Sequence, residues 1–167
     1  MSLIDTREAV FSPSYKIIRI HDYTLPDQPG HPEALDAAYQ DQVAASDFAV
    51  MVVCAQDLLK VRLTVALHDA PTEVDTTSWD STRRFALPFP SARLHAGDGF
   101  GEGIVMDLLD EGDYAVIVQY RGRDTAKETL AREWPQASEL AGDDLSDYLN
   151  QWAGLEEYFL TLYPAER

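Results

Sequence analysis

The sequence predicts a mainly β fold: an antiparallel β-sandwich, jelly-roll-like, with a helix in its N-terminal half and a helical insertion before the last strand. Three observations predict it. Short runs of alternating or wholly apolar residues recur, separated by turn-forming residues. One run, Phe48 to Cys54, is apolar throughout, as a strand covered on both faces must be. Helical spacing is confined to a segment near the front and a stretch near the end.

In chain order, Ser14 to Tyr23 alternates as a strand, with Ile17, Arg19 and His21 on one face and Ile18, Ile20 and Asp22 on the other. Leu25 to Gly30, with two prolines and a glycine, reads as a loop. Pro32 to Ala45 reads as a helix. Leu35, Ala38, Tyr39 and Gln42 fall at helical spacing, and Pro32 suits a first turn, where its missing N–H loses no bond. After Phe48 to Cys54 comes Lys60 to Leu67, whose Val61, Leu63, Val65 and Leu67 share a face.

Arg83 to Phe89, Ser91 to His95, Glu102 to Leu109 and Tyr114 to Tyr120 are further strands. Between the last two, Asp110-Glu111-Gly112-Asp113 reads as a hairpin turn, since glycine takes positive φ without steric cost. Thr125 to Trp134 looks helical and is expected to end before Pro135. Asp143 to Trp152 is the second helical piece. Leu145, Tyr148, Leu149 and Trp152 form its apolar stripe, and Asp143 and Asp144 lie at the end where the helix dipole favours acids. Glu157 to Tyr163 closes the chain as a strand stopped by Pro164. The total is about eight strands. Residues 1–167 are read as a single domain with the helical insertion at 123–154.

Charge is the other strong signal. The chain holds 13 basic and 29 acidic side chains, a net charge of -16. Ile20 to Leu59 has no Lys or Arg, and neither has Glu133 to Glu166, which carries Glu133, Glu139, Asp143, Asp144, Asp147, Glu156, Glu157 and Glu166. Such a field repels nucleic acid and anionic membrane and speeds encounter with basic partners. A chain of this length buries roughly 70% of its unfolded surface, enough for a core without staples. The single cysteine, Cys54, excludes an internal disulfide and fits a reducing compartment; in its apolar run it reads as a small core side chain. No apolar run reaches the ~18 residues of a membrane span. The N-terminal residues lack a signal-peptide pattern, so a cytoplasmic location is expected.

Catalytic chemistry finds little footing. His21, His31, His68 and His95 show no metal-ligand spacing, so no metal and no cofactor is expected. The run Gly97 to Gly103 has strands on both sides, and its Asp98 and Glu102 repel phosphate, so it reads as an inter-strand loop. Ser78, Ser81 and Ser91 stand outside any nucleophile elbow, and Cys54 has no basic neighbour to activate it. The expectation is a protein without catalytic activity. Trp79, which follows the polar stretch Glu73 to Ser78, is read as pinning that loop to the sandwich.

The order of elements resembles a known family. Tyr39 through Ala44-Ala45-Ser46-Asp47, then Phe48 to Cys54, Lys60 to Leu67 and Pro71, is similar to the competence protein J family, the small nuclease inhibitors of bacteria. The resemblance continues in Arg83-Arg84-Phe85-Ala86-Leu87-Pro88-Phe89 and in Val105 to Tyr114, with the Ser14-Tyr15 and Glu157-Tyr158 strands in the expected order. It implies a β-rich acidic protein that inhibits a DNA nuclease by direct contact. Between Gly122 and Leu155 the chain departs from the pattern, where that family's connection is shorter. That departure leaves open an immunity-type role against another toxin.

The leading expectation is therefore an inhibitor or immunity-type protein that captures a basic partner, such as a nuclease, whose phosphate-binding Lys and Arg side chains attract carboxylates. Asp143, Asp144, Asp147, Glu156 and Glu157 are assigned to the contact surface, with Asp110, Glu111 and Asp113 as a second loop. For each the bland alternative is a solvated acidic surface that aids solubility. Two other readings stay open: a sandwich that holds a small molecule or carbohydrate against its aromatics, and a homo-oligomeric structural module.

Overall fold

A computed structural model describes residues 2–166. Among them are ten strands and three α-helices, arranged as two facing five-stranded sheets. The first sheet has the order β1 (Leu3–Phe11), β5 (Val61–His68), β10 (Glu157–Pro164), β9 (Gly112–Arg121), β6 (Ser81–Phe89). The second has β3 (Val43–Ala45), β4 (Ala49–Val53), β2 (Ile17–Asp22), β7 (Arg93–Gly97), β8 (Gly103–Asp107). The fold is sandwich-like, but its first sheet is mixed: β10 runs antiparallel to β9 and parallel to β5.

Strand alternation builds the core. Val61, Leu63, Val65 and Leu67 turn inward from β5, as their spacing predicts, and Tyr158, Leu160 and Leu162 do so from β10. Ile18, Ile20, Val50, Val52, Leu94 and Ala96 meet them from the second sheet. Burying each of the Val, Leu and Ile side chains among these contributes about 1.5–3 kcal/mol.

The outer faces are covered too. Helix α1 (His31–Asp41) lays Ala34 and Ala38 on Ala49, Met51 and Val53, which is why β4 has no polar face. The loop after β5 returns across the first sheet, where Val74 packs on Ala115, Ile117 and Tyr163. Trp79 anchors it as expected, its ring 5.8 Å from Phe159 with the Arg121 guanidinium 4.3 Å above it. Upstream, the carboxylate of Asp75 accepts from Thr77 and Ser78, which holds its pKa down at about 2.

Several boundaries differ from expectation. Helix α1 ends at Asp41 because Gln42 adopts φ 69, and Val43–Ala45 leaves the helix to pair with β4 as an edge strand. Residues Ser14–Lys16 form a 3-10 turn before β2, with Tyr15 and Lys16 at positive φ. The Asp110–Asp113 link is not a hairpin. It carries the chain from β8, an edge of the second sheet, to β9 in the first, and the Tyr114 hydroxyl staples it by donating to the Asp110 carbonyl at 2.9 Å. Helix α2 (Arg123–Ala137) continues through Pro135, which lies in the last turn. There the missing N–H costs one bond only. Strand β1 and the short β3 were not anticipated, and raise the count from about eight to ten.

Candidate functional site

The two helices between β9 and β10 form one end of the molecule. Helix α3 (Gly142–Asn150) presents Leu149, with Leu145 and Tyr148, to Leu59, Leu130 and Ala137. The Tyr148 hydroxyl donates to Glu133 of α2 at 2.6 Å, which lowers the pKa of that carboxyl and raises that of the phenol. With its apolar stripe used this way, α3 leaves Asp143, Asp144 and Asp147 exposed, and Glu139 is exposed just before it. The acids expected at the helix start do lie there.

Glu156 does not belong to that surface. It is 1% exposed, in register with Tyr158, Leu160 and Leu162, and so turns inward. Its carboxylate accepts from the Ala55 N–H at 2.6 Å, from Gln56 Nε2 at 3.0 Å and from the Tyr158 hydroxyl, and pairs with Arg123 at 3.7 Å. Arg123, the first residue of α2, also donates to the Val53 carbonyl at 2.6 Å and to Tyr158 Oη at 2.7 Å. Gly122 precedes it at φ +80, and a Cβ there would meet the Leu155 carbonyl oxygen at 1.7 Å. A backbone contact that close admits only glycine. Glu156 is thus a structural acid that docks α2 on the sandwich. Cys54 borders the same network, and burial, reinforced by Glu156, pushes its thiol well above the usual range. An inert core cysteine is the result.

Glu157 faces the other way but is only partly exposed, held between Arg121 and Arg62. Its charge is neutralised within the chain. Asp110, Glu111 and Asp113 are exposed around a cleft of 330 Å³ that Glu166 also lines. They and the α3 acids do not form one patch. Strand β10 starts beside Arg121 at the helical end and finishes beside Tyr114 at the turn, seven residue steps or roughly 23 Å away. The α3 acids lie within the stretch from Glu133 to Glu166 that carries no basic residue.

A second constellation had no sequence-based expectation. Arg19 and His21 project from the outer face of β2 and His95 from β7, where His21 and His95 are register partners with ring centroids 5.1 Å apart. Arg19 lies close enough to lower the pKa of His21, His31 and His95, although burial is the main cause for each. Strand parity contained part of this signal, because Arg19 and His21 share the face opposite Ile18 and Ile20. Among the described residues, no three or more His, Cys, Asp or Glu side chains converge as metal ligands.

These histidines set an acid limit on stability. Their folded pKa values fall below the unfolded value of 6.5, so below that pH the unfolded chain binds more protons than the folded one. Stability is therefore full above pH 6.5 and declines as pH falls toward the folded values. Urea midpoints are expected to drop between pH 7.5 and 5.5, with a shallower slope in His95→Gln; a midpoint constant or rising on acidification would refute the assignment.

Comparison with known proteins places the fold. No family model matches the sequence, and no curated protein matches it. Among solved structures, the chain is similar to ComJ, inhibitor of the DNA degrading activity of NucA, from Bacillus subtilis, with 14% identity, 98% of each chain covered and a TM-score of 0.57. It is also similar to the product of crocagin biosynthetic gene J, with 12% identity, 99% of this chain and 100% of that chain covered and a TM-score of 0.61. The fold is therefore ComJ-like, the architecture that the sequence resemblance implied. No helix among the described residues is long and apolar enough to cross a membrane.

Proposed function

We propose that this chain is a non-catalytic inhibitor or immunity-type protein that captures a basic protein, a DNA nuclease above all, through its acidic helical end. The observation that carries the reading is the placement of Asp143, Asp144 and Asp147 on the free side of α3, in a stretch from Glu133 to Glu166 without Lys or Arg. A nuclease must present cationic side chains to hold phosphate, and fixed carboxylates compete for that cleft. The likeness in fold to an inhibitor of a DNA-degrading activity supports this choice of partner.

The internal pairing of arginines sharpens the field. Arg62 and Arg121 lie on Glu157, Arg93 on Asp107 and Arg123 on Glu156. These pairs add little stability where exposed, about 0–1 kcal/mol each, and each offsets a basic charge within the chain. A rigid acidic face raises association rates with a basic partner and loses that advantage as salt screens it.

The test is capture from the host lysate at low ionic strength, elution with salt, and assay of the eluate for DNA cleavage. A stoichiometric basic nuclease supports the reading. An eluate without basic protein or nuclease activity, from cells shown to express nucleases, contradicts it.

A further inference from the structure

On the outer face of the second sheet lies a cavity of 450 Å³ bounded by the Ser14–Lys16 turn, the start of α1 and the loop between β7 and β8. Its floor is apolar, from Leu35 and Met51. At its mouth stand Tyr15 and Phe100, 72% and 69% exposed, with ring centroids 5.6 Å apart. Large aromatics so exposed are expensive in water and mark contact sites.

These two rings are held, not loose. The buried carboxylate of Asp98 accepts from the Phe100 N–H at 2.8 Å and the Glu102 N–H at 3.2 Å through one oxygen, and from the Ser14 N–H at 3.3 Å through the other. One acid thereby fixes both aromatic-bearing segments side by side. Tyr15 and Lys16 are both left-handed without being glycine, a strained backbone of the kind that persists at functional sites.

The polar groups are equally specific. Arg19 lines both this cavity and a neighbouring one of 220 Å³ that His21 and His95 share. Its only ion pair among the described residues is a long one, 3.9 Å, to the highly exposed Asp27. Gly99 makes room for it, since a Cβ there would lie 2.2 Å from the guanidinium. His31 also lines the cavity, is 8% exposed, and has an Nε2 without a hydrogen-bond partner. The Gln28 N–H meets Nδ1 of the same ring at 3.5 Å, which leaves Nε2 as the ring nitrogen open to a ligand. Burial and Arg19 keep the ring neutral, against the weaker opposing effects of Asp27 and the Pro26 carbonyl. A buried polar atom left without a partner costs free energy that a ligand's polar group recovers.

We propose that this cleft binds a small aryl carboxylate, with its ring packed against the Tyr15–Phe100 pair over Leu35 and Met51 and its carboxylate on Arg19 and the His31 Nε2. A monoanion fits better than a phosphate dianion, because a single guanidinium faces the cavity while Asp27 and Asp98 stand close by. The site is independent of the protein-binding face, and either stands without the other.

The experiment is a titration of the full chain, followed by amide chemical shifts, with indole-3-acetate, phenylacetate and the neutral indole-3-acetamide. Saturable shifts centred on residues 14–19, 28–35 and 98–102 are expected, with the acids bound about tenfold or more tightly than the amide. Arg19→Gln is expected to remove that preference. Phe100→Ala, at an exposed loop tip where folding is not at stake, is expected to weaken both acids about tenfold. No saturable shift by about 10 mM ligand, shifts centred elsewhere, equal affinity for acid and amide, or unchanged binding in Phe100→Ala each overturns the proposal.

Discussion

Glu156→Ala is expected to destabilise the protein by about 3–5 kcal/mol, because it removes one partner of a buried ion pair and leaves Arg123 without its counter-charge. It also strips the acceptor from Ala55 N–H and one of two acceptors from Gln56 Nε2, which keeps the Leu59 carbonyl. Arg123→Ala should cost a similar amount, since Glu156 has no exposed side-chain surface and Arg123 only 15%. In a chain of this size, such losses lower Tm by about 6–20 °C. The double variant should cost less than the two singles together, because the groups act on each other. Urea denaturation of the four proteins measures all of this. Single variants within about 1 kcal/mol of the parent would show that the pair does not hold the helices on the sandwich.

Changing Asp143, Asp144 and Asp147 together to lysine is expected to weaken capture of a basic partner about 100-fold at low salt, mainly through a slower association rate. The difference should shrink as ionic strength rises. Folding should survive: the three side chains are exposed, and the lost helix-dipole contribution of Asp143 and Asp144 is about 0.3–1 kcal/mol each. The matched triple at Asp110, Glu111 and Asp113 is the control, on the far end of β10. It should change affinity much less. Binding kinetics against the captured partner at several salt concentrations decide it, and a larger effect from the turn triple would move the contact surface to that end.

The features legible in the sequence share one property: they depend on local periodicity. The inward face of Lys60 to Leu67, the doubly covered Phe48 to Cys54 and the apolar stripe of α3 all follow from spacing alone. The misreadings needed information that spacing lacks. Asp110–Asp113 has a hairpin's length and glycine, but turn chemistry does not say whether the flanking strands share a sheet. The parallel pairing of β5 with β10 joins segments far apart in sequence, with no local signature.

Glu156 is the instructive case. As one of two adjacent acids it read as surface charge, yet alternation through Tyr158, Leu160 and Leu162 assigns it inward and Glu157 outward. That alternation competes with the rule that carboxylates stay in water. That rule fails where a guanidinium and several N–H and O–H donors converge, as they do here. The Arg19 and histidine cluster was hidden for the opposite reason. Its members come from β2, α1 and β7, and only the sheet brings them together.

We propose that the acidic helical end neutralises a basic nuclease by direct contact. The most direct test is a DNA-cleavage assay of the salt-eluted nuclease with increasing amounts of this chain. Cleavage is expected to fall to background at a one-to-one ratio, and most of it to persist with the chain reversed at Asp143, Asp144 and Asp147. Cleavage unaffected by a stoichiometric excess of the parent chain, or inhibited equally by the reversed one, would contradict it.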